Sequence, residues 1–229
     1  MSFSSVKAVL IDIDNTLLDF GKCSYLAMQK AFSTHGLSFS DSVFTTFTKT
    51  NDELWKRIER GEYTRELLHK ERWNIILQKL GMSYDGVKIE KSFLDNLYDC
   101  IAYVDGALET VKYLSGKYYL CTASNAPKDQ QYNRLKISGI LPYVKKVFTS
   151  EAIGVAKPQK EFFERCFAQM DGFTKEETVM IGDSLTADIH GAKVYGLKTL
   201  WFNYNHIQEP SEKFYDAKVE NLLEIKNIL

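Results

Sequence analysis

Short apolar runs alternate with helix-like patterns along much of the chain. The first run, residues 6–13, is rich in β-branched residues and ends at acidic residues, which is typical of a buried strand. Further runs of this kind cover residues 118–122, 146–148, 178–181 and 199–202. Because helical patterns separate these runs, the sequence predicts an α/β fold built on a parallel sheet with helices on both faces.

Helices in this part of the chain have end signals in the sequence. They are predicted over residues 107–114, 159–170 and 222–229. Gly116 lies where glycine commonly ends a helix, and Pro158 lies where proline commonly begins one. Asn221 is predicted to cap the last helix, because its short polar side chain can accept a bond from a free backbone N–H.

A separate block, residues 17–103, shows helical spacing without a strand-like run. Its periodic apolar residues are Leu54, Ile58, Leu67, Leu68, Trp73, Ile76, Leu77 and Leu80. We therefore predict two domains. An α/β core takes residues 1–16 and 104–229, and a smaller all-helical domain of residues 17–103 is inserted after the first strand.

Composition, charge and cysteine content narrow the class of protein. Of 229 residues, 45% are hydrophobic and 26% are charged, which argues against a disordered or fibrous chain. The formal net charge of −1 gives no overall field that favours polymeric nucleic acid or an anionic membrane. The 4 cysteines form no C-x-x-C pair, and the N-terminus has no apolar signal core. We expect a cytoplasmic monomer or homodimer that acts on a small molecule.

Two pairs of carboxylates lie at the ends of predicted strands. Asp12 and Asp14 end the first strand. Asp183 and Asp188 follow the strand over 178–181. Ligands of open α/β sheets bind at the carboxyl ends of the strands, so these acids can serve proton transfer or hold a hard cation such as Mg²⁺. The alternatives are a strand end that merely faces water for the first pair, and a helix cap for Asp188.

Three further polar residues lie between these pairs. Ser124 and Asn125 follow the strand over 118–122, and Lys157 precedes Pro158. A hydroxyl and backbone N–H groups can hold phosphate oxygens, and an ammonium group can neutralise a developing phosphoryl charge. Each signal alone is more typical of a turn or a helix entrance, but here all of them fall beside strand ends of one α/β pattern.

In this order, the motifs resemble those of the haloacid dehalogenase (HAD) superfamily of phosphohydrolases. The signature D-x-D-x-T matches residues 12–16, and G-D-x-x-x-x-D matches residues 182–188. Ser124 and Lys157 match the two motifs between them, while Ala126 stands where relatives commonly have glycine. The resemblance implies a Rossmann-like α/β core and a helical cap domain that closes over the active site.

The resemblance also implies a role for each residue. Asp12 would be the nucleophile that forms an aspartyl phosphate, and Asp14 would protonate the leaving group and then activate water. Mg²⁺ would be held by Asp12, Asp183 and the backbone carbonyl of Asp14. Asp188 would bind the ion directly or through water. The residues that would bind the phosphoryl group are Thr16, Ser124, Asn125 and Lys157.

Softer similarities indicate the pyrimidine-type 5′-nucleotidases of this superfamily. They include the stretch 51–61 and the pair Arg72-Trp73. Phe20, Trp55 or Trp73 could stack on a nucleobase, although aromatic residues at helical spacing more often belong to a core. A nucleoside 5′-monophosphate is therefore the expected substrate.

Three other functions share parts of this pattern. A phospho-accepting signalling receiver also groups acids, a hydroxyl and a lysine around Mg²⁺, but it resembles a smaller domain without a large insertion. A true haloacid dehalogenase needs no metal and lacks the second acid of D-x-D, which is Asp14 here. A phosphatase or phosphomutase for sugar phosphates or other small metabolites has the same core motifs and stays open as an alternative.

Overall fold

A six-stranded sheet organises one of the two units into which the chain divides. The computed structural model describes residues 2–170 and 172–229. The unit that contains the sheet takes the residues up to Phe20 together with Ile101–Leu229. The second unit takes Gly21–Cys100, whereas the sequence predicts an insertion over 17–103.

All strands of the sheet run parallel. They are β1 (Ala8–Ile11), β2 (Tyr119–Ser124), β3 (Lys146–Thr149), β4 (Thr178–Gly182), β5 (Lys198–Phe202) and β6 (Ala217–Val219). Their order across the sheet is β3-β2-β1-β4-β5-β6. The predicted parallel α/β fold is thus confirmed, and the first five strands coincide with the five apolar runs. The short strand β6 is not predicted.

The central strand β1 shows why a continuous apolar run makes a buried strand. All of its residues are buried, and successive side chains point to opposite faces of the sheet. Val9 and Ile11 belong to the apolar cluster on one face, whereas Ala8 and Leu10 belong to the cluster on the other. Because both faces are covered, β1 needs an apolar side chain at every position.

The second unit is helical, as predicted. Its helices are α1 (Phe20–Thr34), α2 (Asp41–Glu59), α3 (Arg65–Lys79) and α4 (Gly86–Tyr98), with the first residue of α1 assigned to the other unit. An aromatic core joins them, in which the Trp73 ring packs against Phe32, Phe47 and Phe93 at centroid distances of 5.5–5.9 Å. Such aromatic contacts hold the helices together through large buried areas.

Further helical segments lie between the strands of the sheet and after the last one. They are α5 (Ala107–Lys117), α6 (Lys128–Ile137), α7 (Ser150–Ile153), α8 (Lys160–Phe167) and α9 (Gly191–Tyr195), with a π-helical turn over Leu185–His190 and 3₁₀ turns over Leu141–Tyr143 and Leu222–Asn227. Across residues 2–170 and 172–229, no helix has both the length and the apolar character that a membrane crossing requires.

Two predicted helix ends are wrong and one is confirmed. Gly116 lies inside α5, which continues for one residue beyond it. Pro158 precedes Gln159, the N-cap residue of α8, and so lies outside the helix instead of opening it. Asn221 does cap the final 3₁₀ turn, because its side chain accepts a hydrogen bond from the Leu223 N–H at 2.8 Å.

Candidate active site

The chain turns sharply just after β1, and this turn places the two acids of the first motif. Asn15 has a left-handed backbone with a φ of 60°, which asparagine tolerates better than most residues. The backbone N–H groups of the next three residues all donate to the carbonyl of Ile13. The turn interrupts the alternation of the strand, so Asp12 and Asp14 need not point to opposite faces of the sheet.

The end of β4 places the second pair of acids. Gly182 ends this strand, and a Cβ atom on it would lie 2.2 Å from a carboxylate oxygen of Asp188. That carboxylate accepts a hydrogen bond from the Ser184 N–H at 3.1 Å, so it folds back over the strand end. The indole of Trp201 donates to the backbone carbonyl of Asp183 at 3.0 Å and fixes this loop from β5. Only glycine leaves room for this arrangement.

These turns bring three carboxylates together. One oxygen each of Asp12, Asp183 and Asp188 lies within 4.8 Å of the other two. The Asp14 carboxylate is not part of this group, and the predicted binding of a metal by the Asp14 backbone carbonyl stays a prediction. A set of carboxylate oxygens without nitrogen or sulfur donors suits a hard divalent cation, and Mg²⁺ fits this chemistry.

Lys157 links two of these carboxylates. Its ammonium group donates to Asp12 Oδ1 at 2.8 Å, to Asp188 Oδ1 at 2.6 Å and to the carbonyl of Ala123 at 2.6 Å. The side chain is buried, and the protein accepts all three of its N–H donors. Lys157 therefore fixes the orientation of Asp12. The predicted direct bond from Lys157 to a phosphoryl oxygen requires that one of these bonds be given up.

Burial and the grouping of three carboxylates around one ammonium group perturb the pKa values of Asp12 and Asp183. Burial raises the pKa of Asp12 to about 7, against the attraction of Lys157 and with the repulsion of Asp188. Burial and the charges of Asp12 and Asp188 raise the pKa of Asp183 as well. Burial opposes the charge on Lys157, but its two carboxylate partners outweigh this effect and raise its pKa. A second positive charge at this position would relieve the remaining repulsion.

Two hydroxyl groups beside the acids are suited to an anionic ligand. The Ser124 Oγ accepts bonds from Gln131 Nε2 at 2.9 Å and from the Ala126 N–H at 3.2 Å, so its own proton can be donated elsewhere. Thr16 is fully buried, and its hydroxyl has no hydrogen-bond partner among the described residues. Buried hydroxyls are normally paired, so a ligand oxygen that accepts this proton would satisfy Thr16.

Asn125 has a role that the sequence does not predict. Its side-chain amide donates to the carbonyl of Lys157 at 2.9 Å, and its oxygen accepts from the Lys157 N–H at 2.9 Å. The side chain thus joins the loop after β2 to the loop that contains the lysine, and its predicted contact with phosphate stays a prediction. Ala126 does not have a positive φ, so the backbone there does not require the glycine of relatives.

Two residues that contact Asp14 are missed by the sequence analysis. Arg134 Nη1 donates to Asp14 Oδ1 at 2.5 Å, and Gln131 Nε2 donates to Asp14 Oδ2 at 2.6 Å. Both belong to α6 and are 0% exposed. A signal exists in the sequence, because Gln131, Arg134 and Leu135 occupy the i, i+3 and i+4 positions of one helix face. Two polar residues on a buried face indicate a specific partner.

The three aromatic residues predicted to select the substrate differ in burial and packing. Trp73 is 1% exposed and enclosed by aromatic side chains, so its predicted contact with a base is wrong. Trp55 packs, partly buried, against the apolar cluster that contains Leu54 and Leu68. Phe20 is partly buried at the start of α1. For Trp55 and Phe20 the role stays a prediction.

Comparison with known proteins shows the family to which the chain belongs. The family model for haloacid dehalogenase-like hydrolases matches residues 6–196. The chain is 32% identical over 225 residues to the HAD-hydrolase YfnB of Bacillus subtilis, which covers 97% of this chain and 96% of that protein. It is 32% identical over 231 residues to the pyrimidine 5′-nucleotidase PynA of Streptococcus pneumoniae, with 97% of each chain covered. The crystal structure of YfnB bound to magnesium matches with a TM-score of 0.93 over 98% of both chains. The chain therefore belongs to the haloacid dehalogenase-like hydrolases.

Proposed function

We propose that this protein is a Mg²⁺-dependent phosphatase that hydrolyses nucleoside 5′-monophosphates. The proposed chemistry rests on one observation above all: Lys157 fixes Asp12 and Asp188 at the end of the sheet, with Asp183 beside them. The nucleotide substrate is supported by the similarity to PynA over nearly the whole of both chains.

Asp12 is the proposed nucleophile. The bond from Lys157 at 2.8 Å holds its Oδ1 and so orients the carboxylate for attack on phosphorus. A bond forms between a carboxylate oxygen and phosphorus, and the bond between phosphorus and the leaving oxygen breaks. Water then attacks the phosphorus of this aspartyl phosphate, which releases inorganic phosphate and restores the Asp12 carboxylate.

Asp14 is the proposed proton carrier in both steps. In the first step its proton passes to the leaving oxygen, so that an alcohol departs instead of an alkoxide. In the second step the ionised Asp14 takes a proton from the attacking water. Asp14 therefore loses one proton and regains one in each turnover.

The remaining residues bind and neutralise the phosphoryl group. Asp12, Asp183 and Asp188 would hold Mg²⁺, which when bound screens an anionic nucleophile from an anionic phosphate. The hydroxyls of Thr16 and Ser124 would donate to phosphoryl oxygens. The helical unit is proposed as the cap that selects the substrate, in line with its place in the sequence.

A screen of phosphate release tests this function. The full chain is incubated with Mg²⁺ and a panel of nucleoside monophosphates, deoxynucleoside monophosphates and sugar phosphates, with Asp12→Asn as the blank. We expect the highest kcat/KM with a pyrimidine nucleoside 5′-monophosphate and no release in EDTA. A sharp preference for a sugar phosphate would remove the nucleotide assignment and leave the chemistry intact. Activity that persists in chelator would contradict the metal assignment.

A further inference from the structure

Asp14 is enclosed by a polar network that the proposed mechanism does not use. Arg134 donates a hydrogen bond to one oxygen of its carboxylate at 2.5 Å, and Gln131 donates to the other at 2.6 Å. Gln131 also donates to the Ser124 Oγ at 2.9 Å, and its own oxygen accepts a bond from Arg134 Nη1 at 3.3 Å. The network thus connects the proposed proton carrier to a proposed phosphate-binding hydroxyl.

The position of Arg134 in α6 makes this network unusual for a helix that packs on a sheet. The residue is 0% exposed and next to the buried Leu135, where an apolar side chain would serve packing alone. Burial of a guanidinium group is costly unless a carboxylate and hydrogen bonds compensate. Here the compensating carboxylate is Asp14, whose own side chain is partly exposed.

Orientation matters for Asp14 because a proton is transferred efficiently only over hydrogen-bond distance. A carboxylate held at a single oxygen can rotate about its side-chain bonds. Contacts to both oxygens, from two residues of one helix, restrict that rotation. The restriction comes from α6 and is independent of the Lys157 bonds that orient Asp12.

We propose that Arg134, together with Gln131, is a positioning residue that holds the Asp14 carboxyl group toward the leaving oxygen. This inference rests on the proposed function. In the step concerned, the bond between phosphorus and the leaving oxygen breaks while the Asp14 proton passes to that oxygen. Arg134 contacts neither atom and acts through Asp14.

Two aryl phosphates of similar size separate this role from a structural one. Phenyl phosphate releases a phenol with a pKa of about 10, like that of tyrosine, and its departure benefits from a proton. p-Nitrophenyl phosphate releases a much more acidic phenol that departs without one. We expect Arg134→Met to lower kcat/KM for phenyl phosphate by about 10-fold or more, and for p-nitrophenyl phosphate by less than about 3-fold.

Arg165→Met is a control that makes the same chemical change at an exposed arginine. Arg165 donates to the carbonyl of Ile153 at 2.8 Å and makes an arginine–backbone contact in the same unit. We expect this variant to leave the ratio of the two kcat/KM values unchanged. In an Asp14→Asn background, Arg134→Met should not change the ratio further, because its partner is already disabled.

Several results would overturn the inference. An equal loss on both esters, or a further change of the ratio in the Asp14→Asn background, would show that Arg134 acts on the fold or on another group. Gln131→Met repeats the test if Arg134→Met does not fold, and an unchanged ratio there would contradict the inference equally. A wild-type protein that releases phosphate neither from these esters nor from the nucleotides of the panel would contradict the proposed function and this inference together, whereas an active wild type with an unaffected ratio would contradict only the inference.

Discussion

At the scale of single residues, the geometry of the site depends most on Lys157. Its ammonium group is the shared partner of Asp12 and Asp188, and all three side chains are buried. Removing one partner of a buried ion pair leaves an uncompensated charge, which is far more costly than losing a pair at the surface. The same residue therefore supports both the fold and the proposed chemistry.

Lys157→Met is expected to abolish phosphate release and to lower the free energy of unfolding by about 3–5 kcal/mol. The loss arises because two buried carboxylates then face each other without a cation. Urea unfolding at neutral pH and a phosphate-release assay measure the two effects. Lys160→Met is the control, since Lys160 makes an exposed bond to Glu164 and should change stability by less than about 1 kcal/mol. A Lys157→Met protein with wild-type stability would contradict this description of the site.

Sequence motifs predict a residue of the site well when the residue that it contacts also belongs to a motif. Asp12, Lys157 and Asp188 are singled out by the sequence, and the structure brings them together. Arg134 and Gln131 are not, because their contacts with Asp14 depend on which face of α6 meets the turn after β1. That information lies in tertiary packing, which spacing along the chain indicates only indirectly.

At the scale of elements, the ends of strands and helices decide whether the acids converge. β4 ends in Gly182, where the Asp188 carboxylate occupies the space that a side chain would need. Gly116 in α5 is the opposite case, since a Cβ atom added there meets nothing within 4 Å. The two glycines therefore differ in what they contribute, although both lie in regular elements.

Gly182→Ala is expected to displace the Asp188 carboxylate and to reduce phosphate release strongly. The crowding should also destabilise the protein by about 1–3 kcal/mol, as overpacking of a well-packed site does. Gly116→Ala should keep full activity and gain roughly 0.5–1 kcal/mol, because alanine favours a helix over glycine. Thermal unfolding and phosphate release compare the two variants. Equal behaviour of both would show that the close approach to Asp188 is unimportant.

The segment between β5 and β6 supplies a test that depends on pH. Burial would raise the pKa of Asp216, but bonds from Lys193 at 2.6 Å and from Thr199 at 2.9 and 3.1 Å outweigh burial and lower it. A carboxylate whose pKa is lowered on folding stabilises the protein above the unfolded pKa of about 3.9. The contribution is lost as the pH falls through the lower folded pKa.

Asp216→Asn is therefore expected to lower the free energy of unfolding by about 1.5–3 kcal/mol at neutral pH. The difference from wild type should begin to shrink as the pH falls below about 4, because the unfolded chain then binds a proton at this carboxylate while the folded protein does not. Urea unfolding over this pH range measures the difference. A deficit that stays constant with pH would show that the charge of Asp216 does not contribute.

The sequence predicts the existence of most elements better than it predicts their ends. Five apolar runs become strands because both faces of the sheet are covered, which imposes continuous apolar residues. β6 is not predicted because it has only 3 residues and two of them are partly buried, so it forms no continuous apolar run. Gly116 and Pro158 fit helix-end statistics, but α5 and α8 end and begin elsewhere.

At the scale of the whole molecule, the two units differ in how much of their function the sequence predicts. The α/β unit contains all of the motif residues, so its chemistry can be predicted from sequence. The helical unit has an interior ion pair, Arg72 with Glu90 at 2.7 Å, close to the rings of Phe47 and Phe93. These residues lie in the interior of the unit and pack against one another. Such a pattern specifies packing and not a substrate, so the sequence predicts the substrate less well than the chemistry.

The near-zero net charge of the molecule affects how a phosphate ester would be attracted. A formal charge of −1 provides no general attraction for a phosphate ester, so the proposed function assigns binding to Lys157, the two hydroxyls and a cation that the carboxylates would hold. The proposed chemistry then requires that every phosphoryl group pass through Asp12.

Trapping that group is the most direct test. An Asp14→Asn protein, in which hydrolysis of the intermediate should be slow, is mixed with p-nitrophenyl phosphate and Mg²⁺ and quenched in acid within one turnover. Peptide mass spectrometry should find a phosphoryl group on the peptide that contains Asp12, and none there when Asp12→Asn is added. A phosphoryl group on another residue, or near-normal phosphate release by Asp12→Asn alone, would contradict the assignment of Asp12 as the nucleophile.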